Sequence, residues 1–397
     1  MRVPLWLTRG ALALLYSSGH AYIFESLRHK QWFYRARGPV FNQRHLLGTA
    51  KLAEPVDLDI ASRLIAAWRF AQDQAESGEP TGIWTESQQE ASSLVEAVRR
   101  ADPEQLATML TGMFHSKFIQ GMAHGSRHQE WASSPILVPM TIEDRLVSLA
   151  EALGVVRAET CEQGECAAAA REGLDVIVAR LERHLGYSLA FPDVGAPSGI
   201  RVAGVFLTMR SVEHVYTVSR ISRALQLSAR PGGAPIDAVE IGGGYGGLCY
   251  WMARHFGESL RRYTLIDLPW VNLVQGYFLS KALGCDSVSF AGEPARLIVV
   301  LPASDAQWRR IPPVSLIINQ DSLPEMAAPV ARDYLRWIGT QHEALFFSYQ
   351  QESGSAFNRV AQNVVHELTS GEPTLSLLSR DLSWTRDGYT EELYRVA

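Results

Sequence analysis

The chain has 397 residues, of which 47% are hydrophobic and 20% are charged, and its formal net charge is -5. A chain of this length can bury large hydrophobic cores and form two domains. The slightly acidic balance argues against a nucleic-acid partner, because proteins that bind nucleic acids commonly carry a basic excess.

The first fifty residues are nevertheless basic, with seven Arg or Lys side chains and a single acidic one, Glu25. The uninterrupted apolar stretch within them, residues 11–16, is much shorter than the ~20 residues of a membrane-spanning helix. No clear small-residue cleavage site follows it, which argues against a secretory signal. We therefore predict an amphipathic helix that packs on its own domain, and we keep peripheral contact with an anionic membrane as the alternative.

Residues 1–190 have a helical pattern, with apolar residues at three- and four-residue spacing in segments such as DIASRLIAAWRFAQDQAE and TIEDRLVSLAEALG. This pattern predicts an all-α N-terminal domain that supplies the substrate pocket, with a homodimer interface as a further expectation. Its aromatic residues would suit a ring-shaped substrate or pack in the core; they are Trp68, Trp84, Phe114, Phe118 and Trp131. Residues 191–235, which begin with the stretch FPDVGAPSGIRVAG, are predicted to be a linker and a connecting helix.

Residues 236–397 alternate between short apolar strands and helices, which predicts an α/β fold with a parallel sheet. The strand-like runs are DAVEI, RYTLIDL, SVSFA, VSLIINQDS and EALFFSYQ, followed by TLSLLSRDLSW and EELYRVA. No helix separates the last two, so they should form an antiparallel hairpin. A Rossmann-like sheet of seven strands that ends in such a hairpin is the pattern of class I methyltransferases.

The segment IDAVEIGGGYGG joins the first strand of this region to its first helix. Gly242, Gly244 and Gly247 match the GxGxxG pattern of nucleotide-binding loops, in which small residues let backbone N–H groups approach the ligand closely. Asp267 ends the next strand, where a carboxylate can accept both hydroxyls of a ribose. The ribose is common to NAD and S-adenosylmethionine, so the closing hairpin and Glu240, two residues before Gly242, favour the second cofactor.

Several longer segments carry a family resemblance. The segments are VEIGGGYGGLCYWMARHF, YTLIDLPWVNLVQGYFLSKALG, LIINQDSLPEM, LFFSYQQES and LSWTRDGYTEELYRV. Together they resemble the sugar O-methyltransferases found among bacterial surface-polysaccharide and secondary-metabolite genes. The resemblance covers residues 200–397; in the helical half it is carried only by MFHSKFIQGM and MRSVEHVY.

The resemblance implies an S-adenosylmethionine-dependent enzyme that methylates a hydroxyl of a nucleotide-linked, lipid-linked or otherwise attached sugar. It also implies that Glu240 lies near the amino group of the methionine part. The predicted cofactor contacts are Glu240, Gly242, Gly243, Gly244, Tyr245, Asp267, Leu268 and Asn319. Tyr245 either closes over the methionine part or packs in the protein. Phe290 or Ala291 would contact adenine, and Glu293 would reach its amino group.

The predicted catalytic residues are Asp321, Glu325, His214 and His115. Asp321 follows the fourth strand directly, where ligands bind in open α/β sheets. It would serve as the base, position the acceptor hydroxyl or bind a divalent metal; alternatively it caps the following helix. His115 and His214 are included because of the family resemblance. The hairpin residues Arg386, Asp387, Tyr389 and Glu391 would either reach the acceptor pocket or serve only the turn.

We predict no metal site and no disulfide. The pair His124 and His128 has helical spacing, but Gly125 weakens the helix and no third ligand is evident. The cysteines Cys161, Cys166, Cys249 and Cys285 form no CxxC pair, which indicates free thiols in a reducing cytoplasm.

Three other functions stay open. They are an O-methyltransferase of a non-sugar secondary metabolite, an NAD-dependent oxidoreductase that uses the same glycine loop, and a non-catalytic scaffold with a methyltransferase fold. The presence of Glu240, the glycines and Asp267 together argues against the scaffold, which would not need the whole set.

Overall fold

A computed structural model describes residues 43–74, 88–119, 121–122, 135, 137–158, 172–228, 234–304, 306–352 and 362–397. The predicted basic N-terminal helix lies outside these ranges, as do Cys161, Cys166, His124, His128, Trp84 and Trp131. Within the ranges, no helix combines the length and the apolar character needed to cross a membrane.

The first half of the chain is mainly helical. Its helices are α1 (Pro55–Gln74), α2 (Ser92–Arg99), α3 (Pro103–Thr111), α4 (Leu137–Ala152) and α5 (Leu174–Leu185), and two single turns of 3-10 helix, Met113–His115 and Lys117–Ile119, follow α3. Local chemistry sets several ends. Asp102 accepts a hydrogen bond from the backbone of Gln105 at 2.9 Å to begin α3, and Gly186 ends α5 in the left-handed conformation.

The sequence pattern predicts an all-α N-terminal domain, but the structure also contains strands in this half. A small antiparallel sheet is formed by β1 (His45–Leu46), β2 (Gly199–Val202) and β3 (Val205–Leu207). The turn between β2 and β3 uses Ala203 and Gly204 with φ of 48° and 87°, which matches the positive φ values of a tight hairpin turn. The two-residue β1 is too short to give an alternating pattern, which is why periodicity does not reveal it. The next helix, α6 (Met209–Leu227), begins with a capping box.

The second half contains an eight-stranded sheet. Its strands are β4 (Ile236–Ile241), β5 (Leu260–Asp267), β6 (Val288–Phe290), β7 (Ile298–Pro302), β8 (Leu316–Gln320), β9 (Leu345–Gln351), β10 (Leu375–Leu382) and β11 (Tyr389–Val396), in the order β10-β11-β9-β8-β4-β5-β7-β6. The connecting helices are α7 (Gly247–Phe256), α8 (Pro269–Leu283), α9 (Ser322–Glu325), α10 (Ala328–Ile338) and α11 (Val365–Thr369). Strands β4 to β9 pair in parallel, and β11 pairs antiparallel with both β9 and β10. The predicted methyltransferase-type sheet with a closing hairpin is therefore confirmed.

The sheet has eight strands among the described residues, where the sequence pattern predicts seven. The additional strand, β7, lies between β5 and β6 and pairs in parallel with both. Its residues Ile298, Val300 and Leu301 are buried, as in parallel strands covered by helices on both faces. Only a brief turn separates the run ARLIVVLP, which contains β7, from the short β6. Because no helix is recognisable in this connection, the sequence pattern does not reveal β7 as a separate strand.

Buried apolar side chains lie on both faces of the sheet. One cluster joins helices α1 to α6 with α7 and α8, including Trp251 and Phe278; a second lies on the opposite face around Ile241, Phe346 and Trp337. Phe114 and Phe118 belong to the first cluster and are nearly inaccessible, so packing is their role. The first cluster is continuous between the helical half and the sheet, and the predicted division into domains at 190 and 235 stays a prediction.

The contact between α1 and α8 depends on a helical glycine. A Cβ atom on Gly276 would lie 2.6 Å from Leu64 of α1 and 2.6 Å from Phe290 of β6. We expect Gly276→Val to lower the free energy of unfolding by about 1–3 kcal/mol through overpacking. Because valine has a better helix propensity than glycine, propensity alone would change stability in the opposite direction.

Urea denaturation of the full chain measures this effect. Gly371→Val is the matched control, since the nearest atom to a Cβ there is the Leu368 carbonyl oxygen at 3.7 Å. Equal unfolding midpoints for the two variants would show that α1 does not pack closely on α8.

Candidate active site

The glycine loop connects β4 to α7 in a conformation that requires glycine. Gly242, Gly244 and Gly246 have φ of 74°, 55° and 88°, which side chains with a Cβ rarely adopt. A Cβ atom on Gly242 would also lie 2.2 Å from the Cβ atom of Ser322. The loop therefore passes close to the start of α9, at the carboxyl ends of the central strands.

Asp267 is held against this loop at the end of β5. Its Oδ2 atom accepts hydrogen bonds from the Gly244 N–H at 3.1 Å and the Gln275 amide at 2.8 Å, and its Oδ1 atom accepts one from the Leu268 N–H at 2.8 Å. Burial raises the pKa of Asp267 to about 7 despite these bonds. Since a carboxylate offers about four acceptor positions, capacity remains for a ligand hydroxyl. The structure thus brings Gly244, Asp267 and Leu268 together, and their contact with a cofactor stays a prediction.

Glu240 lies beneath the loop, with 1% of its surface exposed. It accepts a hydrogen bond from the Tyr263 hydroxyl at 2.8 Å, and a Cβ atom on Gly243 would lie 3.0 Å from its Oε2 atom. Burial raises the pKa of Glu240 to about 8, although the Tyr263 hydroxyl acts in the opposite direction. A contact between Glu240 and the amino group of a bound methionine part stays a prediction.

Tyr245 points into the protein from the loop. Its ring centroid lies 5.2 Å from that of Phe114 and 5.1 Å from that of Phe278, and both contacts are edge-on. Its hydroxyl lies 3.5 Å from the Nδ1 atom of His214. This geometry favours the packing alternative for Tyr245, with the ring supporting the loop from below.

Asn319 and Asp321, two residues apart at the end of β8, have different surroundings. The Asn319 amide oxygen accepts hydrogen bonds from the Ser322 hydroxyl at 2.6 Å and the Leu323 N–H at 2.9 Å, and its amide nitrogen donates to Ser348 at 2.9 Å. These bonds fix the junction between β8 and α9. The predicted cofactor contact of Asn319 stays a prediction.

Asp321 has a strained backbone and one carboxylate oxygen without a hydrogen-bond partner among the described residues. Its φ of 66° lies in the left-handed region, which few non-glycine residues adopt. Its side chain makes no capping bond to α9, and its buried Oδ1 atom has no hydrogen-bond partner among the described residues. The capping alternative is therefore wrong, and the Oδ2 atom instead lies 3.7 Å from the Nη1 atom of Arg386. Burial raises the pKa of Asp321, against the effects of Arg386 and Arg210.

A buried charge cluster adjoins Asp321. The carboxylate of Glu213 lies 2.5 Å from Arg145 of α4, 2.8 Å from Arg210 of α6 and 3.6 Å from Arg386 of the hairpin turn. Burial by itself would raise the pKa of Glu213, but the three guanidinium groups lower it to about 2. Glu213 is therefore ionised at neutral pH although its surface is almost inaccessible.

The other predicted catalytic residues, His214, His115 and Glu325, have different surroundings. His214 packs against the loop, where a Cβ atom on Gly247 would lie 2.5 Å from its Cε1 atom. Burial lowers the pKa of His214 to about 3, so its imidazole is neutral at physiological pH. His115 is exposed, and its Nε2 atom lies 2.7 Å from the carbonyl oxygen of Gly48. Glu325 is half-buried at the end of α9. Catalytic roles for these three residues stay predictions.

The structure changes the expected adenine contacts. Because β7 separates β6 from β5, Phe290 and Ala291 lie one strand farther from Asp267 than predicted. The Glu293 carboxylate is held by Arg63 at 2.6 Å and 2.9 Å, so it is already paired. The chain beside Asp267 is instead the end of β7, where the Ala303 N–H donates to the Asp267 carbonyl oxygen at 2.7 Å.

Two of the four hairpin candidates, Arg386 and Tyr389, lie beside the charge cluster. Arg386 lies over the ring of Tyr389, with 3.5 Å between the guanidinium carbon and the ring centroid. Asp387 is exposed on the turn. Glu391 is buried and pairs with Arg220 at 2.5 Å, which assigns it to the attachment of α6 to the sheet.

Sequence reasoning missed Arg145, Arg210 and Gln275. Arg210 and Glu213 stand three residues apart on one helix, a spacing that allows an ion pair, and this signal was available in the sequence. Arg145 gave no such signal, because it lies in the charged run IEDR that normally marks an exposed helix face. Among the described residues, no group of three His, Cys, Asp or Glu side chains is placed to hold a metal ion.

No protein-family model matches the chain, and no curated protein matches it. Solved structures with a similar fold include the mitomycin 7-O-methyltransferase MmcR, at 14% identity over 85% of this chain and 94% of that chain, with a TM-score of 0.36. An O-methyltransferase family 2 protein from Planctomyces limnophilus in complex with apigenin has 10% identity over 65% of this chain and 95% of that chain, with a TM-score of 0.33. A SAM-dependent methyltransferase from Aquifex aeolicus has 12% identity over 46% of this chain and 92% of that chain, with a TM-score of 0.32. With TM-scores this low, the strand order described above remains the basis of the fold assignment.

The charge cluster leads to a prediction about the free energy of unfolding. Glu213→Gln leaves the buried Arg145 and Arg210 without their anionic partner, so we expect a loss of about 3–5 kcal/mol in the free energy of unfolding at pH 7. The folded-state pKa of Glu213, about 2, lies below its ordinary value of 4.5. Its stabilisation is therefore complete above that ordinary value and is lost as the pH falls toward 2.

Denaturant unfolding at pH 7 and pH 3 measures both effects, and the difference between Glu213→Gln and the unaltered chain should narrow at pH 3. Asp321→Asn is the matched control. Because burial raises the pKa of Asp321, its ionised form is disfavoured in the folded state, and this variant should be at least as stable at pH 7. Equal losses for the two variants would contradict the assignment of Glu213 as the central counter-ion.

Proposed function

We propose that this protein is an S-adenosylmethionine-dependent O-methyltransferase that acts on a hydroxyl of a small acceptor, with a sugar as the first candidate. One observation carries the proposal: the Asp267 carboxylate is held against the Gly244 N–H at the same edge of the sheet as Asp321, whose buried Oδ1 atom has no hydrogen-bond partner among the described residues. The first pair suits a ribose, and the second suits an acceptor hydroxyl. The sugar acceptor is supported by the resemblance of the sequence segments LIINQDSLPEM and LSWTRDGYTEELYRV.

The described residues fit an adenosyl cofactor. Asp267 would accept the ribose hydroxyls, and the absence of Cβ atoms at Gly242 and Gly244 keeps the backbone of the loop open to a ligand. At the end of β7, the hydroxyl of Ser304 is buried without a hydrogen-bond partner among the described residues. We assign Ala303 and Ser304 to the adenine end of the site. When bound, S-adenosylmethionine supplies an electrophilic methyl group.

Asp321 would hold the acceptor hydroxyl and accept its proton. A base is most effective when its pKa lies near the working pH, and burial shifts the pKa of Asp321 in that direction. The guanidinium of Arg386, whose Nη1 atom lies 3.7 Å from the Asp321 Oδ2 atom, is the charged neighbour of this carboxylate. Most of the rate acceleration would come from holding the two reactants in line, which accounts for about 7–11 kcal/mol in well-oriented reactions. The buried ring of Tyr245 and the neutral His214 exclude water from below the loop.

We place the enzyme in the cytoplasm as part of this proposal. The two cysteines in the described part of the chain, Cys249 and Cys285, are free thiols, which suits a reducing compartment. A homodimer and membrane contact through the basic N-terminal segment are further parts of the proposal that the described residues do not address.

Calorimetric titration with S-adenosylmethionine, S-adenosylhomocysteine and NAD tests the cofactor. We expect micromolar binding of both adenosyl ligands and no binding of NAD. Asp267→Ala should weaken adenosyl binding at least about ten-fold, because hydrogen bonds to a charged acceptor contribute roughly 1.5–3 kcal/mol each. Asp286→Ala is the control, since Asp286 is fully exposed.

The remaining outcomes of this titration discriminate between the other functions. Binding of NAD alone would identify an oxidoreductase. No binding of any of the three ligands would indicate a non-catalytic scaffold.

Turnover tests the base. With an acceptor found by screening nucleotide-linked sugars and hydroxylated metabolites, Asp321→Asn should lower kcat by roughly 10²- to 10⁴-fold. The affinity for S-adenosylhomocysteine should change little, because Asp321 does not bind the ribose. Formation of S-adenosylhomocysteine measures the rate. Glu325→Gln is the comparison, and a larger loss in that variant would transfer the role of base to Glu325.

A further inference from the structure

The charge cluster carries more positive than negative charge. Its guanidinium groups belong to Arg145, Arg210 and Arg386, and the ion pairs of the described residues connect them to two carboxylates, Glu213 and Asp321. With both carboxylates ionised, one positive charge is left over. A buried charge without a counter-ion is unfavourable by several kcal/mol, so an arrangement of this kind suits a ligand that brings an anion.

Arg386 has more unpartnered donor atoms than the other two arginines of the cluster, since each of those leaves only a buried Nε atom without a hydrogen-bond partner among the described residues. Arg386 donates one hydrogen bond to the Tyr389 hydroxyl and stacks on that ring. Its Nε and Nη1 atoms are buried and have no hydrogen-bond partner among the described residues. The nearest carboxylate oxygens, on Glu213 and Asp321, lie 3.6 Å and 3.7 Å away, beyond hydrogen-bonding distance. Arg386 therefore has two buried nitrogen donors available to a ligand.

We propose that the acceptor carries an oxyanion, a phosphate or a carboxylate, and that Arg386 binds it with support from Arg210. The inference rests on the proposed function and specifies its substrate class. Guanidinium groups bind both oxyanions in a planar, two-point geometry. An oxyanion at Arg386 would place a hydroxyl of the same molecule beside Asp321, which matches an acceptor such as a sugar phosphate, a nucleotide-linked sugar or a hydroxy acid.

Arg386 and Asp267 lie near the ends of different strands, so the proposed acceptor and cofactor sites are separate. Arg386 lies beside Asp321 at the end of β8, whereas Asp267 lies at the end of β5, with β4 between them. At ordinary strand spacing, β8 and β5 are roughly 10 Å apart. The carboxylate of a bound adenosyl cofactor is the other source of an oxyanion, and the experiment has to distinguish the two.

The test uses the full chain saturated with S-adenosylhomocysteine and titrated with inorganic pyrophosphate and, separately, with malonate. We expect at least one of these anions to bind. Arg386→Gln should weaken that binding at least ten-fold and change the affinity for S-adenosylhomocysteine by less than three-fold. Arg386→Lys should bind the anion with intermediate affinity, because it keeps the charge and loses the planar fork. Arg336→Gln, which alters an exposed arginine on α10, is the matched control.

Three results would overturn the inference. The first is no binding of either anion to the unaltered protein when it holds S-adenosylhomocysteine. The second is equal anion binding by Arg386→Gln, or by Arg386→Lys if the glutamine variant fails to fold. The third is a loss of S-adenosylhomocysteine affinity of ten-fold or more in an Arg386 variant, which would assign the arginine to the cofactor carboxylate. Because adenosyl binding is measured on its own first, failure of the proposed function stays distinguishable from failure of this inference.

Discussion

The proposed acceptor side of the site depends on one buried carboxylate, that of Glu213. Glu213 balances arginines from three separate parts of the chain, since Arg145 lies on α4, Arg210 on α6 and Arg386 on the closing hairpin. Ions taken out of water are stabilised only when their partners are in place. This pairing therefore joins the helical half to the far edge of the sheet, and the acceptor side forms only when both parts of the chain have folded together.

The proposed cofactor side, in contrast, is formed by elements that follow one another in the chain. The glycine loop, Asp267 and Gln275 belong to consecutive elements, β4 to α8, and their hydrogen bonds link neighbouring strands. Such a unit can hold the same ligand in proteins with different helical additions. Under the proposed function, substrate choice would depend on the acceptor side, which uses contacts between distant segments.

This difference explains what the sequence predicts and what it does not. The strands, the hairpin, the glycine loop and Asp267 follow from local patterns, and the structure reproduces them. The pairing of Glu293 with Arg63 does not follow from local patterns, because Arg63 lies on α1, far away in the chain. Arg145 was missed because a charged run in a helix normally faces water, and only tertiary packing buries it. Strand β7 was missed because no helix separates it from β6.

The proposed acceptor site rests on residues whose conformation or hydrogen bonding is unfavourable for the fold alone. Asn319 and Asp321 lie at the end of the same strand, yet the side chain of Asn319 joins parts of the fold by hydrogen bonds to Ser322, Leu323 and Ser348. Asp321, by contrast, has a strained backbone and a buried oxygen without a hydrogen-bond partner among the described residues. Arg386 likewise leaves two donors unused. Unsatisfied buried groups reduce stability by about 1–3 kcal/mol each, and strained residues persist where the surrounding structure holds them and function uses them. A ligand that supplies a hydroxyl to Asp321 and an oxyanion to Arg386 would satisfy both groups at once, so the same molecule that reacts would also complete the structure of the site.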